Sequence, residues 1–172
     1  MTYLVDNSKD FFMGNIKRYF ETGHSYFVTT IVQERRPIFL DDKMCMILLV
    51  SLEYFKLILD YRVYAYCIMP DHVHLILHPF GKYELSYIMQ MIKGSFSRKI
   101  NRMSISTGKL WQKRYYDEVI RNEFMLIRKI EYTHNNPLRS GIVKSLEEYK
   151  YSSYQFYFNN KCDVLTIDKL AL

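Results

Sequence analysis

At 172 residues the chain has the length of one domain that can bury a single core without disulfide or metal staples. Its 24 Lys and Arg against 18 Asp and Glu leave a net charge of +6, a balance that favours a polyanionic partner. Three widely spaced cysteines, Cys45, Cys67 and Cys162, form no zinc pattern, no stretch is apolar over the length a bilayer crossing needs, and the N-terminus carries Asp6 and Asp10; the expectation is a cytoplasmic protein with no signal peptide and no membrane partner.

In chain order, residues 1 to about 23 show no clean periodicity and read as an irregular arm or a short helix. Residues 25–32 are β-branched and aromatic, a first strand. Asp41-Asp42 followed by Met44, Ile47, Leu48, Leu52, Phe55 and Leu59 predicts an acidic first turn and a long amphipathic helix. A second strand spans 62–69, with Val63, Ala65 and Cys67 alternating against Tyr64, Tyr66 and Ile68. The short turn at Pro70-Asp71 makes it an antiparallel hairpin with a third strand that begins at His72.

Glu84 to Arg102 predicts a second helix, Asn101 to Gly108 a polar connector and Leu110 to Ile120 a fourth strand. A third helix runs from Glu123 to Asn135 and stops at Pro137, with an aromatic tail from Glu147 onward. The order strand, helix, strand, strand, helix, strand predicts an α+β fold of the ferredoxin-like split βαβ kind, an antiparallel sheet with helices on one face. No linker divides the chain, so 1–172 is expected to form one domain with a core at about 24–145 between the arm and the tail.

Three features carry chemistry. His72 and His74 stand two apart in a strand, on one face and about 7 Å apart along the chain, so both imidazoles could converge on one metal ion. Such a pair is about as often a partner of buried polar groups. Tyr132 and Asn136 are i and i+4 on one helix face and project together, although with 16 tyrosines in the chain any one of them can be a packed aromatic. Finally, Lys93, Arg98, Lys99, Arg102, Lys109, Lys113, Arg114 and Arg121 are opposed in their stretch only by Asp117 and Glu118. That run suits a phosphate backbone or simply a solvated helix face.

The segments Met69-Pro-Asp-His-Val-His-Leu75, Trp111-Gln-Lys-Arg-Tyr-Tyr116, Val119-Ile-Arg-Asn122, and Tyr132 with Asn136-Pro-Leu-Arg-Ser-Gly-Ile-Val143 resemble the single-tyrosine transposases of the HUH class. The likeness is greatest to the REP-associated tyrosine transposases, bacterial relatives of insertion-sequence transposases. The resemblance implies that His72 and His74 ligate a divalent metal, Mg or Mn, with Asn136 as a third ligand, and that Tyr132 is the nucleophile. It implies cleavage and rejoining of single-stranded DNA through a 5′-phosphotyrosine, on a hairpin substrate with a short flanking tetranucleotide. Lys93, Arg98, Lys99 and Arg102 are then expected on the hairpin backbone and Arg114 near the DNA, while Tyr115 and Tyr116 do not carry the chemistry. A homodimer that shares its sites is compatible with this family, as is a monomer. The competing expectation is a domesticated transposase that binds DNA or RNA without cutting it.

Overall fold

β-Branched and aromatic side chains cannot relax against a preceding helical turn but pack well on a pleated surface. Ser25–Ile31 (β1), Tyr61–Ile68 (β2) and His72–Pro79 (β3), all rich in such residues, extend accordingly. The computed structural model describes residues 23–104, 108–161 and 164–169; the arm expected before residue 23 lies almost wholly outside them. With Tyr116–Ile120 (β4) the strands form one antiparallel sheet in the order β2-β3-β1-β4. Helices α1 (Asp42–Leu59), α2 (Leu85–Ser104) and α3 (Glu123–Arg139) fall between and after the strands as a split βαβ requires.

Register decides which residues share a face. Val28 pairs with Leu75 and Tyr26 with Leu77 on one side of the sheet, whereas Phe27 pairs with Ile76, Thr29 with His74 and Ile31 with His72 on the other. The first face is covered by α1 and α2, through Leu48, Leu52, Phe55, Ile88, Ile92 and Phe96. Burying each such side chain contributes roughly 1.5–3 kcal/mol. The second face is covered by α3, whose Ile130 packs with Phe27, Ala65, Ile76 and Ile120. The prediction of helices on one face therefore holds for α1 and α2 and fails for α3. Once the alternation of β1 and β3 makes both faces partly apolar, a third amphipathic helix is drawn to the uncovered one.

Three further expectations are corrected. β2 carries a bulge between Val63 and Ala65, so Val63 faces α1 and α2 together with Tyr66 and Ile68 instead of alternating with them; one extra residue breaks the period-2 reading. The fourth strand is only Tyr116–Ile120, and the stretch before it meets the sheet through an isolated bridge between Trp111 and Val32. Pro137 does not stop α3. It sits in the last turn, and the helix ends in a Schellman arrangement: Ile142 N–H donates to the Pro137 carbonyl and Gly141 N–H to that of Leu138. Gly141, at φ 68°, supplies the left-handed residue this stop needs.

The described residues after 145, expected as a tail outside the core, lie along the open edge of β2. Ile68 N–H donates to the Tyr151 carbonyl (2.9 Å), Ser153 N–H to that of Tyr66 (3.0 Å), and Asp168 N–H to that of Val63 (2.9 Å). Tyr151, Leu165 and Ile167 are buried in the core with α1 and α2. An edge strand left bare is a template for unwanted pairing; here the chain's own C-terminal part covers it, with a short helix α4 (Tyr154–Asn159) on the way. Cys45 and Cys67 are buried free thiols, and among the described residues no helix is long and apolar enough to cross a membrane.

Candidate metal and nucleophile site

His72 and His74 project from β3 on the face that α3 covers, opposite Ile31 and Thr29 of β1. Their Nε2 atoms are 3.1 Å apart, and each ring is held from behind. His72 Nδ1 lies 2.5 Å from Asp71 Oδ1 and His74 Nδ1 2.8 Å from Thr29 Oγ1. An ionised carboxylate only accepts, so His72 carries its proton on Nδ1; the Thr29 hydroxyl can accept from His74 Nδ1–H in the same way. Both Nε2 lone pairs then face one point. Two bonds of ~2.1 Å meeting at a right angle span about 3.0 Å, so the pair has the spacing of two ligands on one ion, with the partners behind the rings that ligating histidines ordinarily keep.

Asn136 brings the third donor from α3. Its Nδ2 donates to the Tyr132 carbonyl at 2.7 Å and its side chain borders the same groove as both imidazoles, which leaves the amide oxygen as the atom that can serve as a donor to a metal. Among the described residues no group of three or more His, Cys, Asp and Glu is arranged to hold a metal ion. Two imidazoles and one amide oxygen, all neutral, are the donors present, and such a set of N and O ligands accepts a divalent cation without strongly choosing among Mg, Mn and others. Burial pushes His74 down to about 3, which keeps it unprotonated at neutral pH. The Asp71 carboxyl is raised by burial but more strongly lowered by its bonds to His72 and Arg35, so it stays ionised.

Tyr132 stands one turn of α3 before Asn136 on the same face, with its ring edge-on to His74 (centroids 5.8 Å apart) and to Phe27 (5.7 Å). At 39% exposure it opens to solvent. The Arg139 guanidinium lies 5.4 Å and the Lys129 ammonium 6.0 Å from its ring centre. All of these groups except Arg139 border one groove of about 500 Å³ lined by Phe27, Thr29, Arg35, His72, His74, Tyr116, Glu118, Lys129, Tyr132 and Asn136. Tyr116 thus reaches the groove as well, but its hydroxyl donates to Glu118 (2.9 Å). Burial and that carboxylate push Tyr116 up to about 12.

The structure brings together four of the residues singled out from the sequence, His72, His74, Tyr132 and Asn136. It does not bring the basic residues of α2 to them. Arg98, Lys99 and Arg102 are exposed on a helix that covers the opposite face of the sheet, and Arg114 is exposed on the connector before β4. Lys93 is half-buried; its ammonium donates to the Gln112 carbonyl and lies over Trp111 and Tyr115, bracing that connector. The cations at the groove are Arg35 and Lys129, which sequence reasoning missed, as it missed Thr29, Asp71 and Glu118. Asp71 adjoins His72 in sequence and Lys129 is one turn before Tyr132, so each carried a local signal; Thr29 and Glu118 needed the strand register.

Arg35 reaches the groove from an unusual turn. Glu34 and Arg35 are consecutive non-glycine residues in the left-handed region, at φ 58° and 50°, a conformation costing on the order of 1–2 kcal/mol per residue. Hydrogen bonds from Gln33 N–H to the Leu110 carbonyl (2.8 Å) and from Arg36 Nη2 to the Lys109 carbonyl (3.1 Å) brace it.

The family model described as "Transposase IS200 like" matches residues 21–136. A Haemophilus influenzae protein provisionally named a REP-associated tyrosine transposase is 26% identical over 155 residues, covering 83% of this chain and 86% of that protein. The REP-associated tyrosine transposase of Escherichia coli K12 is 25% identical over 143 residues, with 83% of each covered. A solved structure of a REP-associated tyrosine transposase bound to a REP hairpin superposes with a TM-score of 0.75 at 22% identity, covering 91% of this chain and 93% of that one; it shares this fold.

Proposed function

The chain belongs to the family of IS200-like transposases, and from that membership we propose that it cuts and rejoins single-stranded DNA at a hairpin through a covalent phosphotyrosine. The observation that carries the reading is the meeting of three groups in one groove: two imidazole Nε2 atoms 3.1 Å apart, the Asn136 amide, and the Tyr132 ring 5.8 Å from His74. His72, His74 and Asn136 would hold a divalent ion, Mg or Mn. Bound there, it supplies charge to a nonbridging phosphate oxygen and so offsets the negative charge that makes a phosphodiester a poor electrophile.

Tyr132 supplies the nucleophile. Its hydroxyl oxygen attacks phosphorus, the phenolic proton leaves, a Tyr132–phosphorus bond forms on the 5′ side and the bond to the 3′ oxygen breaks, releasing a 3′-hydroxyl. The phosphotyrosine ester retains the energy of the broken linkage, so attack by a 3′-hydroxyl reverses the step and rejoins strands without a nucleotide cofactor. The cations beside the Tyr132 ring are Lys129 and Arg139. His134 does not serve as its base: it is buried on the far side of α3, bonded to Ser153. The packing of α3 on the sheet of its own chain favours a site that works in cis. A hairpin substrate is favoured by the hairpin that the similar solved structure holds.

The test is incubation of the protein with labelled single-stranded hairpin DNAs in Mg or Mn and in EDTA. A metal-dependent adduct that survives SDS, persists in Tyr116→Phe and is absent in Tyr132→Phe is the expected result. DNA binding with no adduct under any metal would replace this reading with a binding protein that has lost the reaction.

A further inference from the structure

The groove is bracketed by two cations that neither hold the imidazoles nor attack phosphorus. We propose that Arg35 and Lys129 take the phosphates on either side of the one Tyr132 attacks, and so set the line along which a single strand crosses the site; this rests on the transposase reading above.

β1 supplies the ruler. Ile31 lies opposite His72 and Thr29 opposite His74. The Lys129 ammonium sits 4.8 Å over Phe27, while Arg35 follows just beyond the other end of the strand. From Phe27 to Ile31 is about 13 Å of extended chain, so the cations flank the imidazoles on opposite sides instead of crowding them. Each is aimed by one carboxylate: Arg35 Nη1 by Asp71 Oδ2 at 3.0 Å and Lys129 Nζ by Glu118 Oε2 at 2.7 Å. Neither is used up. A guanidinium has five N–H donors and an ammonium three, and the Arg35 side chain is 62% exposed.

The turn that carries Arg35 adds an independent observation. Two successive non-glycine residues keep left-handed backbone there, and a conformation of this kind persists where the surrounding structure enforces it, commonly at sites of function. The turn directs Arg35 back over Asp71, the residue that also orients His72. One carboxylate thereby couples the position of a phosphate-binding cation to that of a metal-binding imidazole.

The experiment measures binding of a fluorescent single-stranded oligonucleotide by anisotropy across a salt series, in EDTA and in a Tyr132→Phe background so that nothing is cut. Each phosphate contact to single-stranded DNA contributes about 0.7 to the slope of log K against log salt. Arg35→Gln and Lys129→Gln are each expected to lower that slope by about 0.7 and the double variant by about 1.4, while Lys43→Gln, exposed on α1, leaves it unchanged. Glu118→Gln, which frees Lys129 from its carboxylate, is expected to tighten binding, an outcome that a folding defect would not produce. Tight binding by the Tyr132→Phe protein with unaltered slopes in Arg35→Gln and Lys129→Gln overturns this inference and leaves the transposase reading standing. Absence of salt-dependent binding by the Tyr132→Phe protein overturns both.

Discussion

The tyrosine helix is held from behind by one buried imidazole, and acid should loosen it. His134 is only 6% exposed, and its Nε2 lies 2.8 Å from Ser153 Oγ. That hydroxyl also accepts from Tyr66 N–H (2.9 Å) and donates to the Tyr66 carbonyl (3.2 Å). A hydroxyl has one proton to give, so its bond with His134 is an accepted one and His134 is the neutral Nε2–H form. The rings of Tyr154 and Tyr157 pack around it. Burial lowers its pKa from 6.5 to about 4. Since the unfolded chain binds the proton more readily, stability is full above about pH 6.5 and falls as pH drops toward 4. The gap of about 2.5 between these values corresponds to roughly 3 kcal/mol in all, at ~1.4 kcal/mol per pK unit, of which about 2 kcal/mol is lost by pH 5. His134→Gln keeps a donor for Ser153 but does not titrate. Urea unfolding in EDTA should find the variant at most ~1–2 kcal/mol less stable near pH 7.5, with the difference shrinking or reversing by about 2 kcal/mol near pH 5. His74, lowered to about 3, keeps the remaining acid sensitivity in both proteins. A difference between the two that does not change with pH would refute the argument.

Thr29→Val removes the partner behind His74 while keeping its shape, and isothermal titration with Mn should show metal affinity reduced by about 10–100-fold; unchanged affinity would make Thr29 a packing residue only. Leu165→Ala, at a side chain 1% exposed, should cost about 2–5 kcal/mol in urea unfolding, whereas a value near zero would mean that the C-terminal part is not docked on β2 as described. For a site assembled in cis, mixing Tyr132→Phe with His72→Ala should restore no adduct formation, because neither chain carries both halves; recovery on mixing would show that α3 is exchanged between copies.

What could be read from the sequence was whatever a local period or a short spacing encodes. The hairpin that carries His72 and His74, the amphipathic α1 and α2, and the shared face of Tyr132 and Asn136 all follow from repeats of two or of three to four residues. The misreadings have a common cause. Val63, Pro137 and the stretch before Tyr116 were judged by the same local rules, but a bulge, a Schellman stop and an isolated bridge are settled by what lies across from them. The basic run is a related case: a helix states which of its faces is charged but not which side of a sheet it will cover.

The residues missed at the site show where its function is decided. Thr29 reaches His74 from β1, and Glu118 and Lys129 meet at the groove from β4 and α3, so the paired register of β1 with both β3 and β4 makes them neighbours, whereas Asp71 reaches His72 from the turn just before β3. α3 must then present Tyr132 toward His74 while turning His134 away toward Ser153. The two residues are two apart, about 200° around a helix of 3.6 residues per turn, so one rotational setting satisfies both. The C-terminal part that covers the edge of β2 therefore also fixes the angle at which the nucleophile meets the imidazoles, although none of its described residues lines the groove.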